Sequence, residues 1–390
     1  MVWVLLVVGV LAAAPYLATP VYEFASPQPF TGSAFFNPYA HLTGAWRTAN
    51  FHAHGRAWGG LTNAQQTDSV VLARYAAMGY DVANVSDYET IDRRRAGDST
   101  FIPSYEHGYN VLKAHMLGVD ARSVEWFDFP LTQSRGQKQY LIDRIKSSAS
   151  LVVLAHPSLR GAHSADDMRY LTHYDLLEVL NHFQTSDHLW DVALSAGHPV
   201  WAVGDDDTHD VTDAGQTGVR WTMVDAPSTR REAIVAALKA GRTIAVAGEG
   251  GRSDARVTSV AMRGDTLTVV CDTIVRAFQF IGQDGRELQR SPAGRSASYV
   301  VQPSDTYVRT VITSRRTTMF LNPVFRYDGV AVVAPLAVLD VERTWGLRAS
   351  LAMSVLLVAS MLVLWPRRDR PAVEPDVEPA VPVPAAQRAS

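Results

Sequence analysis

Two histidines, His52 and His54, flank a single alanine in the stretch "NFHAHGRAWGG". Alternate residues of a strand point to the same face, so both imidazoles project from one side of the run "AWRTANFHAH". If Ala49, Phe51 and Ala53 face covering helices, the imidazoles face inward at the strand's C-terminal end. Alone, such a pair describes satisfied core histidines better than a metal site. It does not stand alone. Asp207 and His209 in "GDDDTHD" repeat the i, i+2 spacing after "PVWAV", and His156 closes "LVVLAHP". "PSYEHGYNVLKAHMLG" carries Glu106 and His115, and Asp87 ends "VANVSD". Satisfied polar residues explain each of these singly, but not their recurrence at the same end of several strands. The single cysteine, Cys271, excludes a disulfide within the chain and restricts any metal site to nitrogen and oxygen ligands.

These residues need a scaffold that brings strand ends together. From about residue 46 to 252, apolar runs alternate with helical patterns. "DVANVSD", "NVLKAHMLGVD", "LVVLAHP", "DLLEVLN", "PVWAVGDDD", "VRWTMVDA" and "RTIAVAG" read as strands. "DSVVLARYAAMGY", "QKQYLIDRIKSS", "TSDHLWDVALSAG" and "STRREAIVAALKAG" read as helices. Such alternation predicts an α/β fold of parallel strands covered by helices, a barrel or a doubly wound sheet. Residues 20–45, rich in Pro, Gly, Ser and aromatics, read as a lead-in. Residues 253–340 alternate apolar and polar positions between hairpin signals such as "RGD" and "QDG", which predicts a small antiparallel, β-sandwich-like domain.

The ordered motifs "FHAH", "VSDY", "SYEHG", "HMLG", "LAHP" and "DDTH", spread over residues 46–247, resemble the PHP (polymerase and histidinol phosphatase) hydrolases. The segment with "FQFIGQDG", "YVR" and "FLNPVFRYDG" resembles the C-terminal part of the carbaryl-hydrolase-like branch. The resemblance implies a distorted seven-stranded (β/α) barrel with metals at the C-terminal strand ends. It implies that His52, His54, Glu106 and Asp207 hold one ion, and that Glu106, His115 and His156 hold a second, with Glu106 bridging. Asp207 is preferred to Asp205 and Asp206 because it gives the D-x-H spacing. Imidazole and carboxylate ligands suit two divalent ions (Zn, Mn or Fe) that share and activate a water.

The chain departs from that pattern where Tyr88 follows Asp87 in place of a histidine, and where no further histidine follows the HxH pair. Both positions belong to a third metal in relatives, so two metals are expected here. His209 is then an outer ligand, an acid/base group or a substrate contact; Tyr88 could donate a hydrogen bond there or merely fill space, and Asp87 joins them as a catalytic candidate. Arg56 and Arg160 follow ligand motifs, and a guanidinium binds phosphate in bidentate fashion, so either could hold an anionic substrate or simply make a surface ion pair. His182, beside Asn181, is placed to support the ligands, and Trp58 could wall the pocket.

The ends carry a different signal. Residues 2–14 and 349–365 are uncharged apolar runs. Seventeen helical residues reach about 26 Å, enough for a bilayer core of about 30 Å. The expected layout is an anchor or signal over 1–19, a transmembrane helix over 347–365 and a disordered Pro-rich tail over 366–390. Arg367, Arg368 and Arg370 after the second span, against Arg343 and Arg348 before it, put the tail in the cytoplasm and the central domain outside it. A formal net charge of −3 and the lack of a basic stripe argue against nucleic acid as a partner. The expected activity is hydrolysis of a small-molecule phosphoester. A carboxyl or carbamate ester, or an inactive metal-binding module, are the alternatives.

Overall fold

The computed structural model describes residues 9–364. The first part of the N-terminal apolar run and the Pro-rich tail lie outside the described residues. The chain divides into one compact unit ending at Arg348 and a second from Ala349. The strands in chain order are β1 Tyr22–Phe24, β2 Ala34–Phe36, β3 Trp46–Asn50, β4 Val82–Ala83, β5 Ser104–His107, β6 Met116–Ala121 and β7 Ala149–Leu154. They continue with β8 Leu176–Leu180, β9 Trp201–Gly204, β10 Arg220–Asp225 and β11 Thr243–Ala247. Then come β12 Val257–Arg263, β13 Thr266–Val275, β14 Ala277–Ile281, β15 Glu287–Ser291 and β16 Gly294–Val300. The last are β17 Tyr307–Thr313, β18 Thr318–Leu321, β19 Val324–Tyr327 and β20 Ala337–Leu339.

The ladders form a five-stranded sheet, β5-β6-β7-β8-β9, and a ten-stranded sheet whose main path is β15-β14-β17-β18-β11-β10-β3-β4. The expectation of uniformly parallel strands is corrected. β3–β4, β7–β8 and β8–β9 are parallel, whereas β5–β6, β6–β7, β10–β11 and β10–β3 are antiparallel. For β5–β6 the reason is local. The turn between β5 and β6 is too short for a crossover, which needs a dozen or more residues. "NVLKAHMLGVD" is therefore not one strand. Asn110 to Ala114 is a turn in which the Asn110 side chain accepts from Ala114 N at 2.8 Å and Lys113 takes φ +61°.

The two sheets meet beside the candidate ligands. Tyr88 and Glu106 form an isolated parallel bridge, and Ala53 bridges Thr208. On the far side Thr222 Oγ1 donates to Gly204 O at 2.8 Å and accepts from Gly204 N at 3.0 Å. Gly204 permits that approach, since a Cβ there would lie 3.0 Å from Trp221 O. Helices cover the five-stranded sheet. Arg135–Ser148 starts with a capping box between Ser134 and Gln137 and buries Leu141, Ile142 and Ile145. Asp187–Ser195 buries Leu189, Trp190, Ala193 and Leu194. Asp68–Met78, against β4 of the other sheet, ends on Gly79 at φ +89°.

Residues 253–340 do not stand apart. β11 pairs with β18, so the boundary expected near 252 falls within one sheet. The lead-in is also pinned, β1 to β20 and β2 to β19. A buried ion pair adds to the joint. Arg309 on β17 reaches Asp191 of the helix Asp187–Ser195 with Nε at 2.7 Å and Nη2 at 2.6 Å, while Tyr307 OH donates to the same carboxylate. Among the described residues one helix is long and apolar enough to cross a membrane, Val341–Met361, with mean hydropathy 1.3.

Removing one partner of the Arg309–Asp191 pair strands a buried charge. Arg309→Met should therefore cost about 3–5 kcal/mol, read as a shift in urea midpoint. Arg309→Met combined with Asp191→Leu should recover much of that loss. Equal destabilisation by single and double variants would show that the pair is not what joins β17 to the helix.

Candidate metal centre

β3 ends at Asn50, and the chain runs on extended through His52 and His54. This extension is zipped to the segment after β9: His54 N donates to Thr208 O at 2.9 Å and Asp207 N to His52 O at 2.8 Å. Two ligand-bearing segments, more than 150 residues apart in the chain, are thus registered by backbone bonds. Glu106 is set against the same place by β5, whose Glu106 N donates to Ser86 O and Asp87 O.

Two donor groups result: His52, His54, Glu106 and Asp207, and Glu106, His115 and His156, all buried. His52 Nε2 lies 3.4 Å from Glu106 Oε2 and 3.2 Å from Asp207 Oδ1. His54 Nε2 lies 3.0 Å and 3.1 Å from the same two oxygens, and 3.2 Å from His52 Nε2. Ligands about 2.0–2.1 Å from a tetrahedral zinc would be separated by ~3.3 Å, so these spacings fit a shared cation. Glu106 Oε2 and Asp207 Oδ1 crowd these nitrogens yet neither makes a hydrogen bond, which is expected of lone pairs directed at an ion. The other oxygen, Glu106 Oε1, lies 2.5 Å from His115 Nδ1 and 3.2 Å from His156 Nε2. One carboxylate therefore faces both groups.

Electrostatics agree. Burial alone would favour neutral forms. For His52 it is outweighed by Asp207, Glu178 and Glu106, and for His54 by Asp207 and Glu106, which push it up to about 9. Burial likewise opposes ionisation of Glu106, yet His115 and His52 hold that carboxyl well below its usual range. Asp207 is also held low, burial being overcome chiefly by His52 and His54. The pocket demands positive charge, supplied by protons on imidazole or by metal ions.

The neighbouring aspartates have other tasks. Asp205 accepts from Phe51 N at 2.6 Å. Asp206 accepts from Gly218, Val219 and Arg220 backbone N–H groups and from Tyr75 OH. Asp87 belongs to neither donor group. Its Oδ1 accepts from Gly55 N at 2.7 Å, and burial and Asp68 push its carboxyl up to about 7. His209 flanks the first group, its ring 4.4 Å from that of His54 and its Nε2 3.4 Å from Tyr88 OH. Tyr88 stacks on His54 at 4.6 Å. Arg56 and Arg160 are exposed, and neither makes an ion pair among the described residues. Arg56 opens onto a cleft of about 670 Å³ that also contains Trp58, Asp87 and Arg94. His182 turns its Nδ1 to Asp206 O, outside both groups, while Asn181 Nδ2 contacts Asp207 Oδ2 at 3.3 Å.

Sequence reasoning missed Glu178. Fully buried on β8, it lies 3.0 Å from His52 Nδ1 and accepts from His156 N at 2.6 Å and Asn181 Nδ2 at 3.1 Å. It fixes which His52 nitrogen faces the centre, the usual task of a carboxylate behind a ligating histidine. Its signal was a lone acid inside "LLEVL", since buried acids are rarely unpaired.

No family profile matches this sequence, and no curated protein does. A solved two-domain protein from Bacteroides vulgatus, containing a predicted PHP-like metal-dependent phosphoesterase, is similar in structure. Identity is 13%, covering 80% of this chain and 98% of that chain, with a TM-score of 0.40. The donor groups, not that likeness, carry the chemistry here.

Elemental analysis of protein purified with added Mn or Zn should give about two equivalents per chain, and Glu106→Gln should lose both. Glu178→Gln should weaken binding by about 10–100-fold in a chelator competition. Because His54 holds its proton up to about 9, protons compete with metal, and affinity should rise with pH toward that value. A pH-independent affinity would contradict imidazole ligation.

Proposed function

We propose that the chain is a metal-dependent hydrolase of PHP type acting on phosphoesters, anchored in a membrane with its central domain extracytoplasmic. The observation that carries the reading is the buried Glu106 carboxylate, turned to a donor group on each side. Bound there, two divalent ions would supply Lewis acidity and a water acidified enough to attack at neutral pH. The two joined sheets are read as a distorted PHP-type barrel, with 253–340 as the carbaryl-hydrolase-like extension.

The chain's own residues account for the remaining steps. Burial and the His54 charge lower His209 to about 4, so at neutral pH it is an uncharged imidazole, a weak base whose Nε2 lies 3.4 Å from Tyr88 OH. Burial and the nearby Glu106 and Asp207 charges keep the Tyr88 phenol protonated, so it can donate to the substrate or to His209. Exposed Arg56 and Arg160 are available to hold an anionic group at the rim. Glu178 and Asn181 orient the ligands from behind.

The anchor reading rests on Val341–Met361, 6% buried over its most apolar window, and the arginines after it give the tail a cytoplasmic side. A reporter fused after residue 390 should be active in the cytoplasm, and periplasmic activity there would reverse the topology.

Chromogenic phosphomonoesters, phosphodiesters and carboxyl esters, assayed with added Mn or Zn, test the chemistry. Phosphoester turnover is expected, falling by at least about 100-fold in His52→Ala. Ester cleavage without phosphoester cleavage would favour a carboxyl- or carbamate-ester hydrolase. Full metal loading without turnover would favour an inactive binding module.

A further inference from the structure

Five large side chains stand out from the body beside the metal centre: Trp58, Tyr109, Val111, Trp126 and Leu131, each between 48% and 58% exposed. They are contiguous. The Trp58 and Trp126 rings meet edge to face at 5.8 Å. Tyr109 OH donates to Trp126 O at 3.3 Å, and Val111 N donates to Pro130 O at 3.0 Å, next to Leu131. Trp58 takes φ +51°, a conformation bulky residues avoid, and is held there with its Nε1 donating to Tyr88 O at 2.7 Å. The patch is also tied to the centre by sequence, since Tyr109 and Val111 lie on the turn between Glu106 and His115.

On its other side the patch reaches residues that adjoin the two apolar runs. Leu131 N donates to Tyr16 OH at 2.9 Å, and that hydroxyl donates to Thr132 O at 2.8 Å. Tyr16 stands at the foot of the apolar helix Gly9–Ala18. Two residues on, Ala18 O accepts from Arg348, and Thr344 Oγ1 accepts from Val21 N at 2.9 Å. Residues 16–21 and 344–348, which adjoin the two apolar runs in the chain, are thus bonded to one another and to Leu131. Tryptophan and tyrosine favour the zone between water and lipid, and clustered apolar surface of this kind is costly in water. Cations border it. Lys113 Nζ stands 5.6 Å over the Tyr88 ring, and Arg56 is exposed next to Trp58.

We propose that this patch seats on the bilayer surface and that the substrate is an amphiphile taken from it, a phosphoester headgroup carried on acyl chains. The headgroup enters past Lys113 and Tyr88 while the chains stay in lipid. The proposal rests on the phosphoesterase reading above.

The test uses the full chain in liposomes with added Mn and two substrates of identical headgroup: dioleoyl phosphatidic acid in the bilayer, and dibutyryl phosphatidic acid free in solution. Val111→Ser, Trp126→Ser and Leu131→Ser combined should lower the ratio of bilayer to soluble turnover by at least about tenfold. An equal loss on both substrates overturns the proposal, as does a wild-type preference for the soluble one. A second readout needs no turnover. Dibrominated lipid should quench the fluorescence difference between wild type and Trp126→Phe. Its failure to do so, or a dimer of the chain covering the patch in nanodiscs, overturns the docking. Turnover of neither substrate, with the chromogenic phosphoesters still hydrolysed, overturns the substrate assignment; hydrolysis of none of them brings down the phosphoesterase reading instead.

Discussion

Negative charge buried in a small volume is the constraint on which the rest of this structure depends. Glu106, Glu178, Asp205, Asp206 and Asp207 are all at most 2% exposed. Isolated carboxylates in such a place would not stay ionised. The fold deals with them differently. Asp206 collects three backbone N–H groups and a phenol. Burial and the Glu178 charge push Asp205 far above its usual range, which favours its neutral form. Glu178 is matched by His52, by a backbone amide and by Asn181. Glu106 and Asp207 remain, facing each other across four imidazoles, and only a cation or several protons can balance them.

That balance explains why the site lies where the two sheets meet. Ladder hydrogen bonds run out at strand ends, and here the leftover groups are paired across the gap, Ala53 with Thr208 and Tyr88 with Glu106. The same bonds that close the joint also set the ligand spacing. A change that loosened the joint would move His52 and His54 away from Asp207 before it unfolded either sheet. The Arg309–Asp191 pair and the β11–β18 ladder hold the later strands against this joint, so residues 253–340 act as a buttress for it.

Much of this was legible in the residues, and what was not has physical reasons. The apolar runs that became β7, β8, β9, β10 and β11 were readable because they are buried on both faces and bounded by Gly, Pro or Asp. The HxH and DxH spacings were readable because extended chain puts alternate residues on one face. Strand direction was not, since β5 and β6 turn back through a tight Asn110 turn that resembles a strand in composition. The lead-in's pairing with β19 and β20 joins residues some 290 or more positions apart, and no local pattern encodes it. Glu178 went unrecognised because its role comes from His52, which approaches from another sheet.

The pairing of β1 with β20 has a mechanical consequence. A body tethered by flexible linkers would sample many orientations above a bilayer. Here the lead-in is held by a ladder to the strand just before Asp340, and Arg348 reaches back to Ala18. Little free chain is left between the folded body and the start of either apolar segment. For the proposed anchored hydrolase, so short a connection keeps the body close to the lipid, and the five side chains need only bias which face meets it. The chain would meet the cost of exposing that surface once, when the anchor inserts. After that each encounter with substrate becomes a search in two dimensions, and a modest patch suffices to steer it.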